Sequence, residues 1–260
     1  ILQKNMKKKF GQNFLRNKEI IDEIINIAEI NENSIVYEIG PGDGALTKEI
    51  INKNPKRFLA IEIDLSLKDQ LSNLFVKKEH SILFTDALKF DETSYFTSNV
   101  TVVGNLPYNI SLKLLIKWIY QYATKPWFKK MILMFQKEVA ERIVSDENSK
   151  KYGRITLITS CLFEVSKVLD ISKDNFLPIP KVDSILLQFE PLNKPHLDLK
   201  NIKKLEFLSN NLFSSRRKKL KNKIELLFDI ETIEKNNLKN YFNLRAENLD
   251  RNTFFTLARL

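Results

Sequence analysis

Ile20, Ile21, Ile24, Ile25 and Ala28 recur at helical spacing, which predicts an amphipathic helix over roughly 18–29. SIVYEIG (34–40) is then a short β-rich run ending in glycine, and ALTKEIIN after it reads as a helix. The alternation continues. RFLAIEID (57–64) reads as strand, LKDQLSNLF as helix, SILF (81–84) and TVVG (101–104) as strands, and SLKLLIKWIYQY as helix. KMILMFQ (130–136) is again a strand pattern and KEVAERIV a helical one. Strands separated by helices indicate βαβ units and a parallel sheet covered on both faces. LFEVSKVL (162–169) and SILLQFE (184–190) are expected to close one sheet edge as a hairpin-like pair. PLNKPHLDLKN (191–201) is polar and punctuated by proline, as a linker would be, and 202–260 holds helical patterns with no convincing strand. The expected fold class is therefore α/β and Rossmann-like. The expected domains are 1–193, with a basic N-terminal arm, and a small helical domain at 194–260.

Composition changes this picture only in part. With 260 residues and 43% hydrophobic content, a sizeable core forms without disulfides or metals. Cys161 is the single cysteine, so no intrachain disulfide is possible and a reducing compartment is expected. No apolar run approaches the roughly 18 residues that cross a bilayer, and the basic first residues are not followed by an apolar signal segment. A cytoplasmic protein without membrane contact is expected. The 42 Lys and Arg against 32 Asp and Glu give a net charge of +10, and its distribution matters more than its size. Residues 1–20 carry six basic residues, Lys7, Lys8 and Lys9 among them, against one acid. SSRRKKLKNK (214–223) carries six and no acid. Such clusters suit a phosphate backbone, although solvated surface accounts for either one alone.

Candidate chemistry sits at the strand ends. In EIGPGDGALT (38–47), Gly40, Gly42 and Gly44 allow a sharp turn and close approach of backbone to a ligand. Glu62 ends the second strand, where nucleotide-binding sheets hold a ribose diol. Gly40-x-Gly42-x-x-Ala45 also satisfies the dinucleotide fingerprint, so the turn by itself does not separate NAD from S-adenosylmethionine. Glu38, just before the glycines, is poorly placed beside a pyrophosphate and well placed for a cationic cofactor. Asp86, in TDAL, offers a further acid at the end of the third strand or simply caps a helix.

Asn105-Leu106-Pro107-Tyr108 follows the fourth strand, at the carboxyl edge of the sheet near the glycine turn. An exocyclic amine on a nucleobase is a poor nucleophile because its lone pair is delocalised into the ring. Two carbonyl acceptors that hold its N–H bonds steer that lone pair toward an electrophilic methyl. The Asn105 side-chain oxygen and the Leu106 backbone carbonyl can serve as the two acceptors. Pro107 stiffens the turn, and Tyr108 offers a face on which a base can stack. A proline turn leading into a helix is the plainer alternative for this segment.

Taken with KKFGQNFL (8–15), IEID, FQKEVAERI (135–143), KYGRITL (151–157), PIPKVDS (178–184), SSRRKKLKN and LRAENL (244–249), these segments resemble the KsgA family of ribosomal RNA adenine N6-dimethyltransferases. The likeness runs over nearly the whole chain, with several independent blocks in order. It implies a class I methyltransferase fold using S-adenosylmethionine. It also implies a substrate: two neighbouring adenosines in a hairpin loop near the 3′ end of small-subunit ribosomal RNA, each receiving two methyls. By the same resemblance, Gln12, Asn13 and Leu15 close over the cofactor, Gly40 contacts it through backbone, Glu62 holds the ribose hydroxyls and Asp86 the cofactor's adenine amine. Asn105 then sits between cofactor and target. Phe176 sandwiches the target base against Tyr108, unless it is a core phenylalanine. This chain has Pro178-Ile179-Pro180 where the family more usually has consecutive prolines, which leaves the local loop shape less defined.

Phe213, Leu220, Ile224 and Leu227 fall on one face if a single helix runs through them. Arg216, Arg217, Lys218, Lys219 and Lys221 are then the expected RNA-binding set, together with Lys7, Lys8 and Lys9. An unpaired loop makes extrusion of the target adenine cheaper than a duplex would. The partners expected are the small ribosomal subunit and its RNA, bound by a monomer. His80 and His196 lack metal-ligand spacing with Cys161, so no metal is expected. No zinc deaminase or Ser-His-Asp hydrolase motif is present. Three other readings stand beside this one: an Erm-like enzyme acting on large-subunit RNA, an RNA-binding assembly factor without catalysis, and, more distantly, a dehydrogenase.

Overall fold

The fold is that of a computed structural model, which describes residues 13–260. In chain order the elements are β1 (Phe14–Leu15), α1 (Lys18–Ala28), β2 (Ile35–Ile39), α2 (Ala45–Asn52), β3 (Arg57–Glu62), α3 (Lys68–Ser72), β4 (His80–Phe84), α4 (Glu92–Tyr95), β5 (Val100–Asn105), α5 (Ser111–Thr124), β6 (Phe128–Gln136) and α6 (Lys137–Ile143). They continue as α7 (Arg154–Ser160), β7 (Phe163–Ile171), β8 (Phe176–Leu177), β9 (Ser184–Pro191), α8 (Leu199–Phe213), α9 (Lys221–Leu227), α10 (Ile230–Lys235) and α11 (Arg251–Arg259). Local chemistry sets several of these boundaries. The Asn17 side chain accepts from the Glu19 and Ile20 amides and starts α1. That helix ends where Glu29 turns left-handed at φ 52°, and it buries Ile21, Ile24, Ile25 and Ala28.

Seven strands form one sheet in the order β4-β3-β2-β5-β6-β9-β7. The first five are parallel, and β9 runs antiparallel to β6. IVYEI and VTVVGN are almost continuously buried, as strands covered on both faces must be. The two runs expected to close an edge do lie side by side there, as β9 and β7. In the register of the central strands Ile39 faces Ile61 on one side and Gly104 on the other. The turns after β2, β3 and β5 therefore emerge together at one rim of the sheet.

One buried acid organises the core next to that rim. Glu92 is fully buried and accepts from Trp118 Nε1 at 2.7 Å and Tyr37 Oη at 3.2 Å, while Lys117 Nζ pairs with its other oxygen at 2.7 Å. The same Lys117 ammonium donates to the carbonyl oxygens of Ala87, at 2.7 Å, and of Phe90, which fixes the loop after Asp86.

The chain divides into two compact units, one of residues up to 140 with 166–190, the other of 141–165 with 191–260. This departs from the division at 193 drawn from the sequence. Residues 141–165 group with the C-terminal helices because α7 packs on α8 and α11. Phe213 and Phe254 stack there at 5.6 Å, with Tyr152 edge-on to Phe213 at 6.0 Å.

The basic segment of this unit is not one helix. α8 ends at Phe213, residues 214–220 form a turn, and α9 starts afresh at Lys221. Ser214 caps α8 by donating its hydroxyl to the Asn211 carbonyl at 2.7 Å, the backbone competition that makes serine a weak helix continuer. Leu220 and Ile224 are buried as expected, but Phe213 belongs to the preceding helix. Arg216 has a structural role within this unit. Its guanidinium donates to the carbonyls of Lys150 (2.7 Å) and Tyr152, lies 5.3 Å over the Phe213 ring and faces Glu247 at 3.6 Å. A side chain so engaged clamps the 150–152 turn. Arg216→Ala is expected to destabilise this unit by about 2 kcal/mol, the scale of losing hydrogen bonds from a charged donor. Urea denaturation of the two proteins side by side measures it, and an unchanged midpoint would remove the clamp.

Candidate active site

β2 delivers Glu38 and then the glycine turn, β3 delivers Glu62, and β5 delivers Asn105, all to the same rim. A cleft there is lined by Asn13, Leu15, Glu38, Gly40, Gly42, Glu62, Asn105, Leu106, Pro107 and Tyr108 among others. Ten residues singled out in the sequence thus converge on one concavity.

The glycines are required by position. Gly40 and Gly42 have φ of 66° and 59°, where a side chain is strained. A Cβ on Gly42 would come within 2.9 Å of the Phe14 ring, and one on Gly40 would sit 3.8 Å from Pro107 and 3.9 Å from the Asn105 carbonyl. The two turns are in near contact, so a ligand on the glycine backbone lies next to the Asn105 segment. Arg16 and Asp43 form an ion pair at 2.5 Å between the segment before α1 and the glycine turn.

Two acidic side chains set the electrostatics of the cleft. Glu38 is 1% exposed, and among the described residues its hydrogen-bond partner is the Thr47 hydroxyl, which donates to it at 2.8 Å. Burial pushes its carboxyl up to about 8; the Thr47 bond opposes the shift and the Glu62 charge adds to it. Glu62 is held differently. One oxygen accepts from the Ile63 and Asp64 amides at 2.9 Å each and the other from the Gly42 amide at 3.1 Å. Burial raises its pKa and these three amides counter the rise. A buried, under-compensated carboxyl beside a glycine cradle fits a cationic ligand and disfavours a pyrophosphate. The residues present therefore fit S-adenosylmethionine better than a dinucleotide.

At the Asn-Leu-Pro-Tyr turn, Asn105 Nδ2 donates to the Asn13 carbonyl at 3.0 Å. The Pro107 carbonyl accepts from the Ile110 and Ser111 amides, both at 3.1 Å, which sets the start of α5. Tyr108 is half-buried, and its phenol oxygen lies 3.1 Å from Ser184 Oγ. Burial raises its pKa, so the phenol stays neutral.

Asp86 follows the neighbouring strand β4, where one oxygen of its carboxylate accepts from the Leu88 amide at 2.9 Å and caps the turn. Some expected site residues lie elsewhere. Phe176 is 2% exposed in the core cluster with Leu15, Ile21 and Ile24, and it pairs with Leu15 across the β1–β8 ribbon. Its ring takes the core position, not a place in the cleft. Gln12, Lys7, Lys8 and Lys9 lie outside the described residues. Arg217, Lys218, Lys219 and Lys221 are exposed. Two further residues at the site carry no local signal in the sequence: Phe14, whose ring packs against Gly42, and Ser184, which ends the PIPKVDS segment.

Comparison with known proteins adds an independent line. Residues 3–259 match the family described as ribosomal RNA adenine dimethylase. The chain is 42% identical over 255 residues to the ribosomal RNA small subunit methyltransferase A of Pelagibacter ubique, covering 97% of this chain and 95% of that one. It is 40% identical over 259 residues to the protein of the same name from Francisella tularensis subsp. novicida, covering 97% and 96%. Among solved structures it resembles a dimethyladenosine transferase from Plasmodium falciparum, with a TM-score of 0.78 and 28% identity over 94% of this chain and 95% of that one. The 23S rRNA methyltransferase ErmE shares the fold, with a TM-score of 0.67 and 23% identity over 95% and 100% of the two chains. A match that spans both units, joined to a cleft whose glycine turn and Asn-Leu-Pro-Tyr segment meet, has one outcome: the chain belongs to the ribosomal RNA adenine dimethylase family.

Proposed function

We propose that this chain, as a cytoplasmic monomer, methylates N6 of two adjacent adenosines in a hairpin loop near the 3′ end of small-subunit ribosomal RNA, giving dimethyladenosines. The methyl donor is S-adenosylmethionine, which supplies an electrophilic methyl on a sulfonium. The observation that carries the reading is the fixed amide of Asn105. With Nδ2 committed to the Asn13 carbonyl, Oδ1 is the acceptor left for a substrate amine. The Leu106 carbonyl is the second acceptor. Gripped by both oxygens, the N6 amine would present its lone pair to the methyl, and the proton it loses on transfer would pass to water. In a second round the singly methylated amine has one N–H left, so one of the two oxygens would hold it while the lone pair faces a fresh methyl donor. No protein base is needed, so the gain comes from orientation and electrostatic placement.

Around this centre, Glu38 faces the cofactor's positive charge, Glu62 takes the ribose hydroxyls, Gly40 and Gly42 bring backbone close, and Asn13 and Leu15 cover the cleft. Tyr108 supplies the stacking face. Arg217, Lys218, Lys219 and Lys221 are exposed in the second unit and there meet the phosphate backbone, an interaction that weakens as salt rises. The relatives named for the small subunit, at about 40% identity over nearly the full chain, favour that RNA over the large-subunit alternative. Small subunits lacking the modification, incubated with the protein and labelled S-adenosylmethionine, are expected to take up label, with large subunits remaining unlabelled. Label in large-subunit RNA would move the assignment to the Erm-like activity, and label in neither would favour a non-catalytic assembly factor.

A further inference from the structure

The mechanism uses Tyr108 as a stacking face, and a stacking face works only if the plane of the ring is fixed. Backbone contacts hold the start of this residue: the Ser111 hydroxyl donates to the Tyr108 carbonyl at 3.3 Å. They do not fix the ring. The ring's outer end meets Ser184, the first residue of β9, whose partner across the ladder is Gln136 on β6. Ser184 is 1% exposed, and its hydroxyl lies 3.1 Å from the Tyr108 phenol oxygen, 76 positions away in sequence. Burial at this depth requires a partner for a serine hydroxyl. The strand that carries it is itself anchored, because the preceding Asp183 accepts the Lys137 amide on its carbonyl at 2.9 Å and the Lys173 amide on its carboxylate at 3.0 Å.

We infer that Ser184 is a positioning residue for methyl transfer: its hydroxyl bond to Tyr108 holds the aromatic ring at the angle on which the target base stacks. The inference rests on the reading of this cleft as an adenine methylation site. Burial keeps the phenol protonated, so the pair exchanges a neutral hydrogen bond and moves no proton in the reaction. The ring's tilt governs where the base, and with it N6, sits relative to the two acceptor oxygens. A displacement of an ångström in such an arrangement lowers a rate by up to about 10²-fold.

The test removes the bond from each side and then from both. Ser184→Ala and Tyr108→Phe, each retaining shape, are expected to lower kcat on unmodified small subunits by roughly tenfold, with the dissociation constant for S-adenosylmethionine unchanged. The double variant is expected to be no slower than either single one, because both remove the same bond. Ser184→Thr, which keeps the hydroxyl, should recover much of the rate. If Thr does not fit the buried site, the Tyr108→Phe and double-variant comparison decides the matter alone. Effects that multiply in the double variant, or a Ser184→Ala enzyme at the wild-type rate, would overturn the inference. A wild-type protein that methylates no RNA would instead refute the functional reading beneath it.

Discussion

Asn105→Ala should lower methyl transfer by roughly 10²–10³-fold, the loss seen when one preorganised electrostatic contact is taken from a reacting group, while cofactor affinity changes by no more than a few-fold. The asymmetry follows from where the side chain is tied. Its amide nitrogen bonds the Asn13 carbonyl and its backbone ends β5, so the cofactor's glycine cradle on β2 stays intact without it. What goes is one of the two oxygens that orient the amine. Asn105→Asp separates the two duties. It keeps an acceptor but sets a carboxylate oxygen against the Asn13 carbonyl, so it should be slow through misplacement. Isothermal titration with S-adenosylmethionine and single-turnover methylation, run on the same preparations, measure both parts. Equal activity in Asn105→Ala would remove the amide from the mechanism.

Glu38→Gln is expected to have opposite effects on stability and on binding. The folded-state pKa of Glu38 is raised to about 8 by burial, well above its value in an unfolded chain. The sign follows from linkage: the native state holds this proton more tightly, so the stabilising contribution is full at acid pH and is lost as pH rises toward 8. Ligand-free Glu38→Gln has no charge to bury. It should melt above the wild type near pH 8.5 and close to it near pH 5. Cofactor binding reverses the ranking. A bound cation compensates the carboxylate, so wild-type affinity should rise with pH up to about pH 8, where the ligand-free site gives up its proton. The glutamine variant should bind roughly 10- to 100-fold more weakly, the scale of one to two pK units of differential interaction, with a flatter pH profile. Thermal melts and titrations at these pH values check both halves. A glutamine variant that binds as tightly as the wild type would mean that Glu38 does not face the cofactor's charge.

These effects fall on residues that the sequence made conspicuous, and there is a physical reason for that. Gly40 and Gly42 stand where the backbone has positive φ, and Asn105 through Tyr108 stand where a buried strand stops at the sheet rim. Such positions admit few residue types, so the residues mark them. The alternation of strand and helix patterns placed both turns at the same edge for the same reason. What escaped the sequence depends on contacts between distant segments. Phe176 reads equally well as a stacking ring or a core ring until β8 pairs with β1. Asp86 is both an acid at a strand end and a good turn cap, and one of its oxygens does cap the turn. Arg216 sits in a run of basic residues that reads as one solvated face. The carbonyls that claim it lie 64 and 66 positions earlier, in a turn that the linear division assigned to the other domain. Ser184 and Glu92 carry no local signature at all; burial and a partner far along the chain give them their roles.

The most direct measurement is a crystal structure of the protein with S-adenosylhomocysteine and an RNA hairpin bearing the target adenosines. The account requires the adenine out of its stack against Tyr108, with N6 about 3 Å from both Asn105 Oδ1 and the Leu106 carbonyl and the thioether sulfur beside the same amine. An adenine seated elsewhere, or an N6 lying beyond about 4 Å from either oxygen, outside hydrogen-bond reach, would contradict it.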